Sequence, residues 1–246
     1  MTKRYKISIA YDGSEYAGWQ IQPDNMTVQE QLEKAIEQLT NEKVKIHGSG
    51  RTDQGVHARR QVAHFDLEKP FKTGVLKKAL NAILPADIRV MKIDIVYSSF
   101  HARRSAVSKE YRYFIWNAEI VPPFLRKYRT HVRKKLDIAA MRKAAVHLRG
   151  RHDFASFTAN TRKEIDGKVR NLMKLTVTKR GSEIIIAAKS EGFLYKMVRS
   201  LAGFLIRVGE GALSPDDALS ILYSKLRTAK VPTAHPEGLF LWRVDY

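Results

Sequence analysis

The stretch His47–Ala58 reads HGSGRTDQGVHA and gathers the residues best suited to chemistry. Gly48, Gly50 and Gly55 fall within eight residues, a density expected where a backbone turns tightly or something approaches it closely. Gly50 and Gly55 make a Gly-x-x-x-x-Gly spacing, but Val56 and His57 stand where a phosphate-binding loop needs Lys and then Ser or Thr. Nucleotide-triphosphate binding is therefore not expected. What remains is a carboxylate, Asp53, two residues after Arg51. A loop Asp beside a guanidinium stays ionised, and an ionised Asp can act as nucleophile or base. A loop Asp also commonly caps a turn through its own backbone. The residues alone do not separate these two roles.

Two other segments carry candidate groups. In Lys109-Glu110-Tyr111-Arg112-Tyr113, alternation puts both tyrosines on one strand face and Arg112 on the other. Tyr113 reads as a core residue with a polar tip. In Phe193-Leu194-Tyr195-Lys196-Met197-Val198-Arg199, the arginine lies beside an apolar stripe. It either meets an anion, because an unpaired buried charge is very costly, or reaches past the helix edge to water.

Other chemistries lose support. The chain has no cysteine, which removes disulfides, iron–sulfur clusters, zinc fingers and thiol nucleophiles. Its histidines lack zinc-ligand spacing, and the Cys-x-x-Cys element of base deaminases is missing. Ser49 and Ser156 lack a nucleophile-elbow context.

Charge points to the partner. The 246 residues carry 44 Lys+Arg against 25 Asp+Glu, a net of +19. Residues 101–151 hold 14 basic side chains and 3 acidic ones, whereas residues 1–100 hold 15 and 12. Tyr111, Tyr113, Trp116 and Tyr128 are interleaved with that basic run. Cations that neutralise phosphates beside rings that stack bases describe a nucleic-acid surface. No apolar run approaches the ~20 residues of a membrane span, and the start lacks a signal-peptide core. A soluble intracellular protein is the expectation.

Periodicity supplies the elements that must position these groups. Tyr5–Tyr11 alternates as a strand. Thr27 and Glu30 form a capping box before the helical stripe Val28, Leu32, Ala35, Ile36 and Leu39. A short strand at Val44–His47, a strand at Gln61–Leu67, a helix at Val75–Leu84 and a strand at Ile88–Val96 follow. The second half reads as a strand at Glu110–Trp116, a helix at Ile138–Leu148, and a hairpin of Val169–Thr178 with Glu183–Lys189. A helix at Phe193–Val208, a short helix after Ser214 and a strand at Leu239–Val244 complete it. The order β-α-β-β-α-β occurs twice, which predicts an α+β fold of two ferredoxin-like halves. The expected division is 1–105, carrying the Asp loop, and 106–246, carrying the Tyr strand and the Arg helix.

The segments GRTDQGVHA, QVAHF, FHAR, KEYRY, GFLYKMVR and HPEGLFLW occur in this order. Together they resemble the TruA-type tRNA pseudouridine synthases over nearly the whole chain. The resemblance implies a pseudouridine synthase fold and a cytoplasmic homodimer that binds tRNA. It implies isomerisation of uridine to pseudouridine in the anticodon arm, at positions 38, 39 and 40, without metal or organic cofactor. By the same resemblance, Asp53 matches the catalytic aspartate and Tyr111 the tyrosine that stacks on the target uracil. Arg51 matches an arginine close to the flipped nucleotide, and Arg199 the one that pairs with the catalytic carboxylate. Two departures stand out: Ser190-Glu191-Gly192-Phe193 where the family often has Gly-Asn-Gly-Phe, and Arg104 where an aromatic commonly follows FHAR.

Overall fold

A computed structural model describes residues 2–159 and 167–246. In chain order the first elements are β1 (Lys3–Tyr11), α1 (Val28–Thr40), β2 (His47–Gly48), β3 (His57–Leu67), α2 (Thr73–Ile83) and β4 (Ile88–Val96). Next come β5 (Ser108–Trp116), β6 (Thr130–His131), α3 (Ile138–His147), β7 (Gly150–Asp153), β8 (Val169–Arg180) and β9 (Glu183–Ser190). The last are α4 (Met197–Gly209), α5 (Asp217–Ser224) and β10 (Leu239–Asp245). The fold is α+β. The chain divides into two compact units, Met1–Val107 with Phe240–Tyr246, and Ser108–Leu239.

In the first unit the strands run β4-β1-β3, antiparallel throughout. The far edge of β3 is shared. Antiparallel β2 pairs His47 with His64, and parallel β10 pairs Phe240 with His57. The sequence β1-α1-β2-β3-α2-β4 in the spatial order 4-1-3-2 is the connectivity of a split β-α-β unit. Alternation in β1 points Tyr5, Ile7 and Ile9 inward, where Phe65, Leu32, Ile36 and Leu80 are also fully buried. α1 begins as the capping pattern requires: the Thr27 hydroxyl accepts from Glu30 N at 3.4 Å. The Glu30 carboxylate itself meets Lys34 at 2.7 Å.

The second unit is an antiparallel sheet, β5-β9-β8-β7, with β6 parallel beside β5. α3 packs on β8 and α4. Asp137 caps α3 by accepting from Ala140 N at 2.9 Å. Ser214 and Asp217 exchange side-chain and backbone bonds at the start of α5.

Two expected elements lie elsewhere. The strand expected at Val44–His47 is displaced to His47–Gly48, because α1 captures the backbone of Ile46 first. Glu33 Oε1 accepts from Ile46 N at 2.8 Å, and Gln29 Nε2 donates to Ile46 O at 3.2 Å. The helix expected from Phe193 begins only at Met197. The Tyr195 carbonyl accepts from Ala159 N at 3.1 Å and from the Thr158 hydroxyl at 3.2 Å. Lys196 takes a left-handed φ of 55°, so the Phe193–Lys196 stretch forms a turn instead of a helical one.

Candidate active site

The Asp53 loop is held by groups far from it in sequence. Thr52 O accepts from Trp19 N at 3.1 Å, and Tyr16 O accepts from Gly55 N at 3.3 Å. The buried Thr52 hydroxyl lies 2.8 Å from the Tyr11 hydroxyl. Burial pushes the Tyr11 phenol well up, so it keeps its proton and stays a hydrogen-bonding anchor. On the other flank the Ser49 hydroxyl donates to Gln61 Oε1 at 2.7 Å, while Gln61 Nε2 donates to Gly50 O at 2.8 Å. Gln61 is fully buried, so these partners satisfy an amide that would otherwise be expensive to enclose.

The loop also sits against backbone, which explains Gly18. Its φ is +101°, and a Cβ there would lie 2.5 Å from Thr52 O and 3.1 Å from the Asp53 carbonyl carbon. Glycine alone meets both demands. The turn itself closes through the main chain, with Val56 N donating to Asp53 O at 3.2 Å. Asp53 is half-buried and Arg51 exposed. The backbone that carries the Asp53 carboxylate is thus constrained, as the positioning of a reacting group requires.

In the second unit, Tyr111 lies on β5 opposite Ala188 of β9. It is 7% exposed, and its ring meets Phe193 edge-on at 5.2 Å and 86°. Such contacts fix a ring plane. Tyr113 is a core residue, as its strand position suggested. It is fully buried, 2.6 Å from the Thr130 hydroxyl, and donates to His235 O at 2.9 Å. Burial, and secondarily Glu237, raise its phenol pKa.

Arg199 lies in the first turn of α4. Its Nε donates to Ala234 O at 2.8 Å, and Ala234 N returns a bond to Arg199 O at 3.0 Å. The helix approaches this segment closely: a Cβ on Gly203 would stand 2.1 Å from Pro232 O. Arg227 adds two 2.8 Å bonds, to the hydroxyls of Ser200 and Thr233. Thus Asp53 and Arg51 belong to one unit, and Tyr111 and Arg199 to the other.

Sequence reasoning missed Gln61, Tyr11 and Gly18 as supports of the loop, and Arg227 as a brace. Gln61 carried a signal, since it occupies an inward position of an alternating strand. Gly18 carried none, because its partner lies more than thirty residues away. Among the described residues no group of three or more His, Asp or Glu side chains is placed to hold a metal ion. No helix among them is long and apolar enough to cross a membrane.

A family model described as tRNA pseudouridine synthase matches residues 7–103 and 144–246. The chain is 45% identical over 246 residues to a tRNA pseudouridine synthase A of Listeria innocua, covering 99% of each chain. It is 43% identical to that of Oceanobacillus iheyensis, covering 99% of this chain and 97% of the relative. It is 41% identical to that of Brevibacillus brevis, covering 99% of this chain and all of the relative. With the family model spanning the Asp53 loop and the Arg199 helix, and relatives aligned end to end, the chain belongs to the tRNA pseudouridine synthase family.

Proposed function

We propose that this enzyme isomerises uridine to pseudouridine in the anticodon stem-loop of tRNA, at positions 38, 39 and/or 40. Asp53 is the nucleophile or base, Tyr111 stacks on the target base, and Arg51 and Arg199 bind the nucleotide. The enzyme acts as a cytoplasmic homodimer. The observation that carries this reading is the Asp53 loop, where one carboxylate is held on a backbone fixed by Tyr11, Gln61 and Gly18.

The chemistry suits a single carboxylate. The bond from uracil N1 to ribose C1′ breaks, and C5 bonds to the same carbon. N1 gains a proton and C5 loses one, so nothing leaves the nucleoside. Asp53 acts either by attacking C1′ or by removing the C2′ proton to give a glycal. The base must first leave its stack, at a cost of a few kcal/mol. Stacking on Tyr111 returns about 1–3 kcal/mol of that.

Pseudouridine mapping in tRNA from cells with and without this gene tests the reading. The expected result is a loss confined to the anticodon arm at positions 38–40. Unchanged tRNA, or a loss at other positions only, contradicts it.

A further inference from the structure

The turn Phe100–Ser105 in the first unit is unusually well anchored for an exposed loop. Arg4 donates to Phe100 O at 2.8 Å and to Ser98 O, while binding Asp66 through both ends of its guanidinium. The Tyr246 hydroxyl donates to Ala102 O at 2.7 Å. Ser105 N bonds to His101 O at 2.8 Å, and the Ser105 hydroxyl accepts from His101 N at 3.0 Å. Two imidazoles complete the seat. His64 Nδ1 accepts from Ala102 N at 3.1 Å. His101 Nδ1 accepts from Arg103 N at 3.2 Å and from Arg104 N at 3.3 Å. The three rings of His47, His64 and His101 lie within 4.8–5.7 Å of one another.

All this structure presents two exposed guanidiniums, those of Arg103 and Arg104. Other arginines are occupied by carboxylates: Arg4 by Asp66, Arg112 by Glu110 and Arg129 by Glu183, each at 2.6–2.7 Å. Among the described residues, neither Arg103 nor Arg104 has such a partner. Adjacent cations on an anchored backbone, without a carboxylate partner among the described residues, fit a ligand that supplies an anion, and arginine forks match phosphate oxygens.

We infer that the His101–Arg104 turn is a phosphate-docking tip for the RNA backbone of the substrate, and that His101 is its positioning residue. The inference rests on the tRNA reading given above. An imidazole that accepts at Nδ1 carries its proton on Nε2; a second proton makes Nδ1 a donor and turns it against the Arg103 and Arg104 amides. Acid therefore loosens the tip. The groups facing these rings are Arg4, Asp66, His47 and Arg104. Burial first, and then neighbouring positive groups, lower the pKa of both imidazoles, His64 to about 4. The tip is thus fully seated at neutral pH.

The direction of the pH effect separates this role from simple charge. If the histidines only added charge, acidification would tighten RNA binding. A seated tip predicts the reverse.

The test is steady-state kinetics of tritium release from a C5-tritiated tRNA transcript, at several salt concentrations and at pH steps from 7.5 down to about 4.5. For R103A/R104A, KM is expected to rise about tenfold, with the slope of log KM against log salt shallower by about 1.5 and kcat within about twofold. For wild type, KM is expected to hold down to the ordinary imidazole value of ~6.5 and to rise only well below it, where the depressed imidazoles take up a second proton. His101→Asn keeps an acceptor at the same place but cannot titrate. It is expected to match wild type at pH 7.5 and to show no acid-induced rise. Unchanged KM and salt slope in the double variant overturn the inference. So does a wild-type KM that stays flat or falls down to the lowest pH step, or an Asn variant that behaves as wild type at every step. Absence of turnover in wild type strikes the functional reading instead.

Discussion

The Asp53 loop and the start of α4 each hold one charged side chain, and they do so by different means. Around Asp53 the support is a set of buried polar side chains and a backbone-to-backbone approach. Tyr11 and Gln61 hold Thr52 and Gly50 before Asp53, the Tyr16 carbonyl holds Gly55 after it, and Gly18 fits beneath. Around Arg199 the support is a helix whose first turn exchanges bonds with Ala234 and is braced by Arg227 through Ser200. A helix already fixes φ and ψ over several residues, so it needs less help from side chains. A loop has no such internal ladder, and every backbone group needs its own partner. The loop is therefore the more fragile device, and substitutions there are expected to cost more.

The largest expected effect is chemical. Asp53→Asn keeps the shape of the loop and removes the charge. Turnover should fall by about 10³-fold or more, while tRNA affinity by filter binding stays within about threefold. Comparable loss of affinity would mean that the loop, not the carboxylate, had been broken.

The two close glycines sharpen the contrast. Gly18→Ala introduces both a strained φ and a clash with Thr52 O. It should cost about 2–3 kcal/mol in urea unfolding and depress kcat. Gly203→Ala brings its Cβ against Pro232 O from a helical backbone. Improved helix propensity, about 1 kcal/mol, offsets part of that clash. A greater loss at Gly203 would reverse the ranking of the two regions.

Next comes the polar support. Gln61→Ala strands the Ser49 hydroxyl and the Gly50 carbonyl. About 1–3 kcal/mol of stability should be lost, and kcat should fall with KM nearly unchanged. A variant with normal kcat would show that Asp53 does not depend on this flank.

The smallest effect is a titration confined to the first unit. His64 is buried, and its pKa is depressed to about 4, first by burial and then by Arg4. The folded state therefore binds fewer protons than the unfolded chain, whose histidine titrates at ~6.5. The stabilisation is complete above that value and declines as pH falls from ~6.5 toward 4. A drop of about 1 kcal/mol is expected at pH 5.5 in urea titrations. It should be absent in a folded His64→Gln variant, and a wild-type midpoint that rises on acidification would contradict the assignment.

These contrasts also explain what could be read in advance. Thr27 caps α1 and Asp137 caps α3, because cap and helix are neighbours in sequence. The capture of Ile46 by Glu33 and Gln29 was invisible to periodicity, as was that of Tyr195 by Thr158 and Ala159. In both cases the partner that won the backbone lies outside the local window. Asp53 was legible as a candidate because its glycines and Arg51 surround it. Of its supports only Gln61 left a trace, as a polar residue at an inward strand position, while Tyr11 and Gly18 reach it only through the fold. Arg103 and Arg104 were visible as charge, while the imidazoles that seat them emerge only from strand register and ring contacts.

Tritium release from C5-labelled uridine in an anticodon-arm tRNA transcript, run with wild type and Asp53→Asn, tests the central claim most directly. Wild type should release one tritium for each pseudouridine formed, with no free uracil and no strand scission, and the variant essentially none. Release at the wild-type rate by Asp53→Asn, or free uracil in place of pseudouridine, would contradict the account.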